Sequence, residues 1–320
     1  MGARWKSVVR SLTIAAGLLS TAASAAEFAT PVLPGATSGI PVGAAAPAGI
    51  YVSLTNYYWQ SRLTNNAGQD NPLRVNVFET IPTFLVVPGV KLLGADYSFL
   101  VSQGVSTSSN NIFGRKTGAV GAFNTFLSPL NLSWALTDSF FVSTGLSVYL
   151  PTGTFRLNGT SSGNGFYSWA PTIAASYLRD GWNLTARLEL NLNTKNDATN
   201  YQSGDVYGVD FTATKSFGPW TVGMQGYYVN QFGPDRLNGA VVPASLYNGR
   251  GKKIEQFALG PYIAYDFGSF ALSAWYDHNI RTRNGAAANI AWLRVSVPLG
   301  NPFSAAPQAP PVTLPDRKVP

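Results

Sequence analysis

Trp182-Asn183-Leu184-Thr185-Ala186-Arg187-Leu188-Glu189-Leu190-Asn191-Leu192-Asn193 decides how this chain folds. Its even-numbered residues are apolar and its odd-numbered residues polar or charged. Successive strand side chains point to opposite faces, so strict alternation makes one greasy and one wet surface. Wound as a helix, the same residues would scatter leucines and charges all round. The stretch therefore reads as a strand. A strand in a soluble sheet commonly has about 5–6 residues. A tilted strand of about 9–11 crosses the hydrocarbon core of a bilayer.

The rest of the chain repeats the pattern. Twelve strand candidates follow from alternation: 50–61, 72–87, 91–105, 127–136, 139–150, 166–178, 182–193, 204–217, 219–231, 254–266, 269–279 and 288–299. Pro82 and Pro171 lie within two of them and predict bulges or bends there. Short turns at 88–90, 137–138, 179–181, 218 and 267–268 alternate with long polar loops at 62–71, 106–126, 151–165, 194–203, 232–253 and 280–287. An even strand number with short turns at one end and long loops at the other is the plan of a bacterial outer-membrane barrel. With both termini in the periplasm, every short turn falls there and every long loop outside. The expected fold is all-β, an antiparallel transmembrane barrel of about twelve strands. The region 106–126 leaves room for a further short hairpin.

The aromatic residues sort with the same geometry. Tyr58, Tyr167, Trp169, Tyr207, Tyr228, Phe257 and Tyr276 fall near the outer rim, and Tyr177, Trp182, Phe217, Trp220, Tyr265 and Phe270 near the periplasmic rim. Between them lie smaller apolar groups such as Leu184, Leu188, Val209, Val222 and Ile263. Two aromatic girdles around an aliphatic band match the two bilayer interfaces.

Composition agrees. The 320 residues are 45% hydrophobic and 12% charged, rich in Gly, Tyr, Phe and Trp, and without cysteine. That mix favours strands and turns, and the missing thiols exclude disulfides and thiolate metal sites. Arg4, Lys6 and Arg10, an apolar Ser11–Leu19 core and Ala23-Ser24-Ala25 read as a cleaved signal peptide over 1–25, with cutting after Ala25 or Ala26. Its removal takes the net charge from +7 to +4, since three cations and no acid leave. Nothing in that balance suits nucleic acid. A Pro/Ala/Gly-rich segment at 26–48 precedes the barrel at 49–299, and a Pro-rich tail at 300–320 follows it.

Leu92-Leu93-Gly94-Ala95-Asp96-Tyr97, Tyr149-Leu150-Pro151-Thr152-Gly153, Gly163-Asn164-Gly165-Phe166-Tyr167-Ser168-Trp169-Ala170-Pro171, Thr199-Asn200-Tyr201-Gln202-Ser203-Gly204 and Ala258-Leu259-Gly260-Pro261-Tyr262 occur in that order. Together they resemble the SphA-type outer-membrane proteins of the meta-pathway phenol-degradation family, over about residues 48–299. The resemblance implies an outer-membrane barrel that takes up small hydrophobic or aromatic compounds. It brings no assigned functional residues with it. Partners implied by such a barrel are outer-membrane lipid and lipopolysaccharide, the envelope's barrel-assembly machinery and a small hydrophobic solute; no cofactor or metal is implied. One departure is the last strand, which ends Val297-Pro298-Leu299 rather than on an aromatic.

Taking the more apolar face of each strand as outward leaves Arg74, Asp96, Arg187, Glu189, Asp210, Tyr227, Tyr262, Trp275, Asp277, Trp292 and Arg294 as lumen-lining candidates, with Tyr51, Tyr57, Trp59, Phe78 and Tyr149 beside them. Twelve strands lie between the filled eight-strand barrel and the open porin. Such a lumen admits one small molecule, or is closed by loops and the 26–48 segment. The charges can brace a narrow barrel as ion pairs, or form a solute-selecting constriction with aromatic faces for stacking. Both readings predict the same inward parity.

A lipid hydrolase is the enzymatic rival. Serine chemistry needs a nucleophile beside a base. The single histidine, His278, has Tyr276 and Ile280 as same-face neighbours, and parity turns it outward from Asp277. Neither neighbour can serve, and one histidine without cysteine makes no zinc site. Gly249-Arg250-Gly251-Lys252-Lys253 lacks a full phosphate-loop pattern and in an outer loop would meet lipopolysaccharide phosphates or solvent. The reading is a channel rather than an enzyme, with a filled structural barrel as the alternative.

Overall fold

A computed structural model describes residues 33–303, except 66, 113–114, 158–160 and 244–252. The signal segment 1–25, residues 249–252 of the glycine-lysine motif and the tail beyond 303 lie outside the described residues. Twelve long strands form the wall. They are β1 (Gly49–Thr64), β2 (Asp70–Val87), β3 (Ala95–Ser102 and Val105–Ile112), β4 (Arg115–Ala122 and Thr125–Ala135), β5 (Phe140–Leu150) and β6 (Ser168–Arg179). They continue as β7 (Trp182–Asn193), β8 (Val206–Phe217), β9 (Trp220–Gln231), β10 (Glu255–Asp266), β11 (Ala271–Arg283) and β12 (Ala286–Gly300). Each pairs antiparallel with the next, and β12 pairs with β1, Trp292 facing Tyr57, so the barrel is closed. Closure satisfies every strand edge, which a lipid environment requires.

The twelve strands and their alternating turns agree with the alternation of the sequence. Within β7, Thr185, Glu189 and Asn191 are buried inward while Trp182 and Leu184 stand exposed outside. Ile173, Leu184, Val222 and Ile263 are exposed apolar side chains between Trp169 and Tyr276 toward one rim and Trp182, Phe217 and Trp220 toward the other. In water such a surface would drive association; in acyl chains it is solvated.

Three loops of the sequence reading are shorter than expected. Residues 105–122 form a hairpin that prolongs β3 and β4, Val105 pairing with Ala122 and Ile112 with Arg115. Their Ser, Thr, Asn and Gly content reads as loop because neither face is apolar, and only pairing makes them strand. Likewise β11 runs to Arg283 and β12 begins at Ala286, joined by a tight turn at Asn284 with φ 52. The first outer loop spans only 65–69 between Thr64 and Asp70.

Pro82 coincides with a break, as expected. β2 pairs with the lower segment of β3 through Thr83–Val86 and with the upper segment through Arg74–Thr80. A proline supplies no N–H to the ladder. The Gln103 backbone N–H donates to the Pro82 carbonyl at 3.2 Å, and the Gln103 side chain fills the gap by donating to Gly104 O and Phe123 O. Pro171 interrupts β6–β7 pairing between Thr172 and Trp169.

Candidate functional site

Residues 33–46 lie inside the barrel, bonded to its wall mainly by side chains. The backbone N–H of Gly35 and the Thr37 hydroxyl donate to the Asp210 carboxylate at 2.9 and 2.6 Å. Ser38 donates to Gln225 at 2.8 Å, the Gly39 N–H to Thr212, the Gly43 N–H to Ser176 and the Ala45 N–H to Ser133. In return Asn183 donates to Gly39 O, Ser133 to Gly43 O, Ser143 to Val42 O, and Arg294 to Ala36 O and Ser38 O. The wet face of the alternating pattern thus binds the chain's own amino-terminal segment. Gly35 and Gly39 hold φ near +79 and +78, where L-residues are strained. A Cβ at Gly39 would stand 2.2 Å from Tyr262 Cζ, so glycine alone allows the approach.

Against this plug β10, β11, β12 and β1 set an aromatic wall. Trp275 and Trp292 stack at 5.1 Å with 11° between ring planes, Tyr57 packs on Trp292 at 4.8 Å and Tyr262 on Trp275 at 6.0 Å. Ala288 and Ile290 complete a buried cluster, and Leu33 and Ala36 of the plug pack on it. The Arg294 guanidinium lies 4.5 Å from the Trp275 ring centre, a cation over an aromatic face. Trp292 Nε1 donates to Asp277 at 2.6 Å, Gln225 donates to the other oxygen of Asp277 at 2.7 Å, and Tyr57 donates to Glu79. Among the described residues the indole N–H groups of Trp59 and Trp275 have no hydrogen-bond partner.

Tyr227, Tyr262, Trp275, Asp277, Trp292, Arg294 and Asp210 are therefore gathered around the plug. Arg187 and Glu189 form an ion pair on β7, extended by Asn191 and Tyr149. Asp96 sits at the short-turn end, bonded to Lys91 at 2.7 Å, with its side chain 43% exposed.

Arg74 is not in the lumen. It is exposed, and shares outward parity with Phe78, which also faces out, while Glu79 is buried inside. Choosing the more apolar face as outward fails in β2 because Val75 and Val77 face in, while Arg74 and Asn76 stand above the girdle. One buried lumen group escapes the sequence reading, Glu79, because it lies on β2, where polarity points to the wrong face. His278 is exposed on the outer wall. Ser61, which lines a hollow with it, turns its hydroxyl inward to Val75 O, so the two do not form a nucleophile–base pair.

The model of a family described as "Putative MetA-pathway of phenol degradation" matches residues 60–295. Among solved structures, an outer membrane channel from Pseudomonas putida F1 superposes with a TM-score of 0.66 at 13% identity, over 79% of this chain and 96% of that chain. At such identity the likeness is one of fold. The toluene transporter TodX of Pseudomonas putida is more remote, with a TM-score of 0.39 at 11% identity over 79% of this chain and 89% of that chain. No curated protein matches the sequence.

Proposed function

The chain belongs to that phenol-degradation family, and from this premise we propose that it is an outer-membrane channel for uptake of small hydrophobic or aromatic, phenol-like compounds. One observation carries the reading beyond the family. The inner wall holds a run of aromatic faces, Tyr57, Trp292, Trp275 and Tyr262, beside the indole N–H donors of Trp59 and Trp275, which have no partner among the described residues. Aromatic faces attract aromatic solutes, and a free donor suits a phenolic oxygen. Passage requires the plug to yield. Its attachment through separate side-chain bonds, rather than through a strand ladder, suits such movement.

The same reading assigns signal cleavage near residue 25 and insertion by the barrel-assembly machinery. Outer-membrane lipid and lipopolysaccharide then surround the wall. A second reading, a structural barrel with a filled lumen, is favoured by the plug itself. Single-channel recording separates them, since a permanently filled barrel conducts nothing. Uptake of phenol into liposomes tests the aromatic wall. Trp275→Ala with Trp292→Ala is expected to slow it by roughly 5–150-fold, from two aromatic contacts at about 0.5–1.5 kcal/mol each. Equal uptake by a folded double variant counts against the proposal.

A further inference from the structure

Solute passage makes no use of one feature of the outer wall. At the long-loop end, β1, β2, β11 and β12 enclose a hollow of about 410 Å³ lined by Gln60, Arg62, Arg74, Asn76, His278 and Asn289, together with Ser61, Asn279 and the methyl of Ala287. The side chains of the first six share the outward parity of Tyr58, Phe78 and Tyr276, exposed aromatics of the outer rim. The hollow thus opens on the membrane side, just above the girdle, at the depth of lipid headgroups.

Its charge is unbalanced. Arg62 and Arg74 face each other directly across the β1–β2 ladder, and like charges in that position repel. Asp70 meets Arg62 at 2.5 Å, but the two side chains are 50% and 45% exposed, and a surface pair of that kind contributes little. Arg74 has no ion-pair partner among the described residues. On β10 and β11, Glu255 is shared by Arg281 and Arg283, so that carboxylate is already engaged by two cations. Facing residues of an antiparallel pair hold their Cβ atoms about 4.5–5.5 Å apart, so two guanidinium groups can close on one tetrahedral anion.

We infer that this hollow seats a phosphate group of an outer-leaflet glycolipid. The forked donors of Arg62 and Arg74 clamp the phosphate oxygens. Gln60, Asn76, His278 and Asn289 supply further polar contacts, and Tyr58 and Phe78 lie along the acyl chains below. The seat is distinct from the lumen, so solute uptake and lipid binding are measured separately.

Binding of bisphosphorylated lipid A to the full-length protein in nanodiscs, read by native mass spectrometry, tests this. Wild type is expected to bind it at least about tenfold more tightly than lipid A stripped of phosphate. Arg62→Gln with Arg74→Gln is expected to lose that preference, and Arg74→Gln alone most of it, a loss of about tenfold per charge-assisted contact. Heat-modified electrophoretic mobility reports that each barrel is folded. Equal binding of lipid A with and without phosphate overturns the inference, as does undiminished binding by the folded double or single variant. Full displacement by millimolar inorganic phosphate would make it a free-phosphate site, and that also overturns the lipid assignment.

Discussion

Placing a branched side chain at Gly39 is expected to expel the plug and open the barrel. A Cβ there would sit 2.2 Å from Tyr262 Cζ and 2.3 Å from its Cε2 and hydroxyl oxygen. Tyr262 cannot retreat cheaply, because it is buried and packs on Trp275 at 6.0 Å. The plug must move instead, giving up the bonds from Gly39 N–H to Thr212, from Asn183 to Gly39 O and from Ser38 to Gln225. At a net ~0.5–1.5 kcal/mol each, these amount to about 1.5–4.5 kcal/mol. The left-handed φ of +78 adds about 1–2 kcal/mol for a residue with a Cβ. Together, about 2.5–6.5 kcal/mol shifts the closed-to-open equilibrium by a factor of roughly 70 to 60,000. Planar-bilayer recording of Gly39→Val should therefore show frequent long openings where wild type is mostly silent. Gly94→Val is the control, since φ there is also +78 but nothing lies within 4 Å. It carries the backbone strain without the clash and should stay closed. A folded Gly39→Val barrel as silent as wild type would refute the idea that residues 33–46 close the lumen. Equal opening by Gly94→Val would trace the effect to general destabilisation.

Two further outcomes follow from the same geometry. Asp210→Ala removes the acceptor of the Gly35 and Thr37 bonds, worth about 1.5–3 kcal/mol each where the acceptor is charged. The amino-terminal segment of the folded barrel should then become open to proteinase K, read as loss of its peptides by mass spectrometry, and continued protection would argue that other contacts hold it. Ile263, exposed on the lipid side between the rims, should tolerate charge poorly. Ile263→Arg is expected to lower folding stability in lipid vesicles by about 2–4 kcal/mol, measured by urea titration. A change under 1 kcal/mol would mean that this belt does not face acyl chains.

What the sequence determined by itself is the barrel, because alternation is a local property. In Trp182–Asn193 the choice of strand, its length and its two faces are all written in neighbouring side chains, and repetition along the chain sets strand number and orientation. The inward positions of Tyr262, Trp275, Asp277, Trp292 and Arg294 were legible for the same reason. Local pattern failed where polarity no longer marks a face. Above the girdle the outer face of β2 is as polar as a lumen wall, so polarity alone points Arg74 inward, and 106–126 carries no apolar face to betray its strands.

Tertiary structure alone decided what occupies the lumen. Pro, Ala and Gly between 33 and 48 have little periodicity, yet Gly35 and Gly39 fit only because Asp210, Asp277 and Tyr262, some 170 to 250 residues away, converge on them. The stacking of Trp275 on Trp292 and the facing of Arg62 and Arg74 likewise depend on ladder register. Register is settled by the closure of all twelve strands together, and no single segment of the chain contains it.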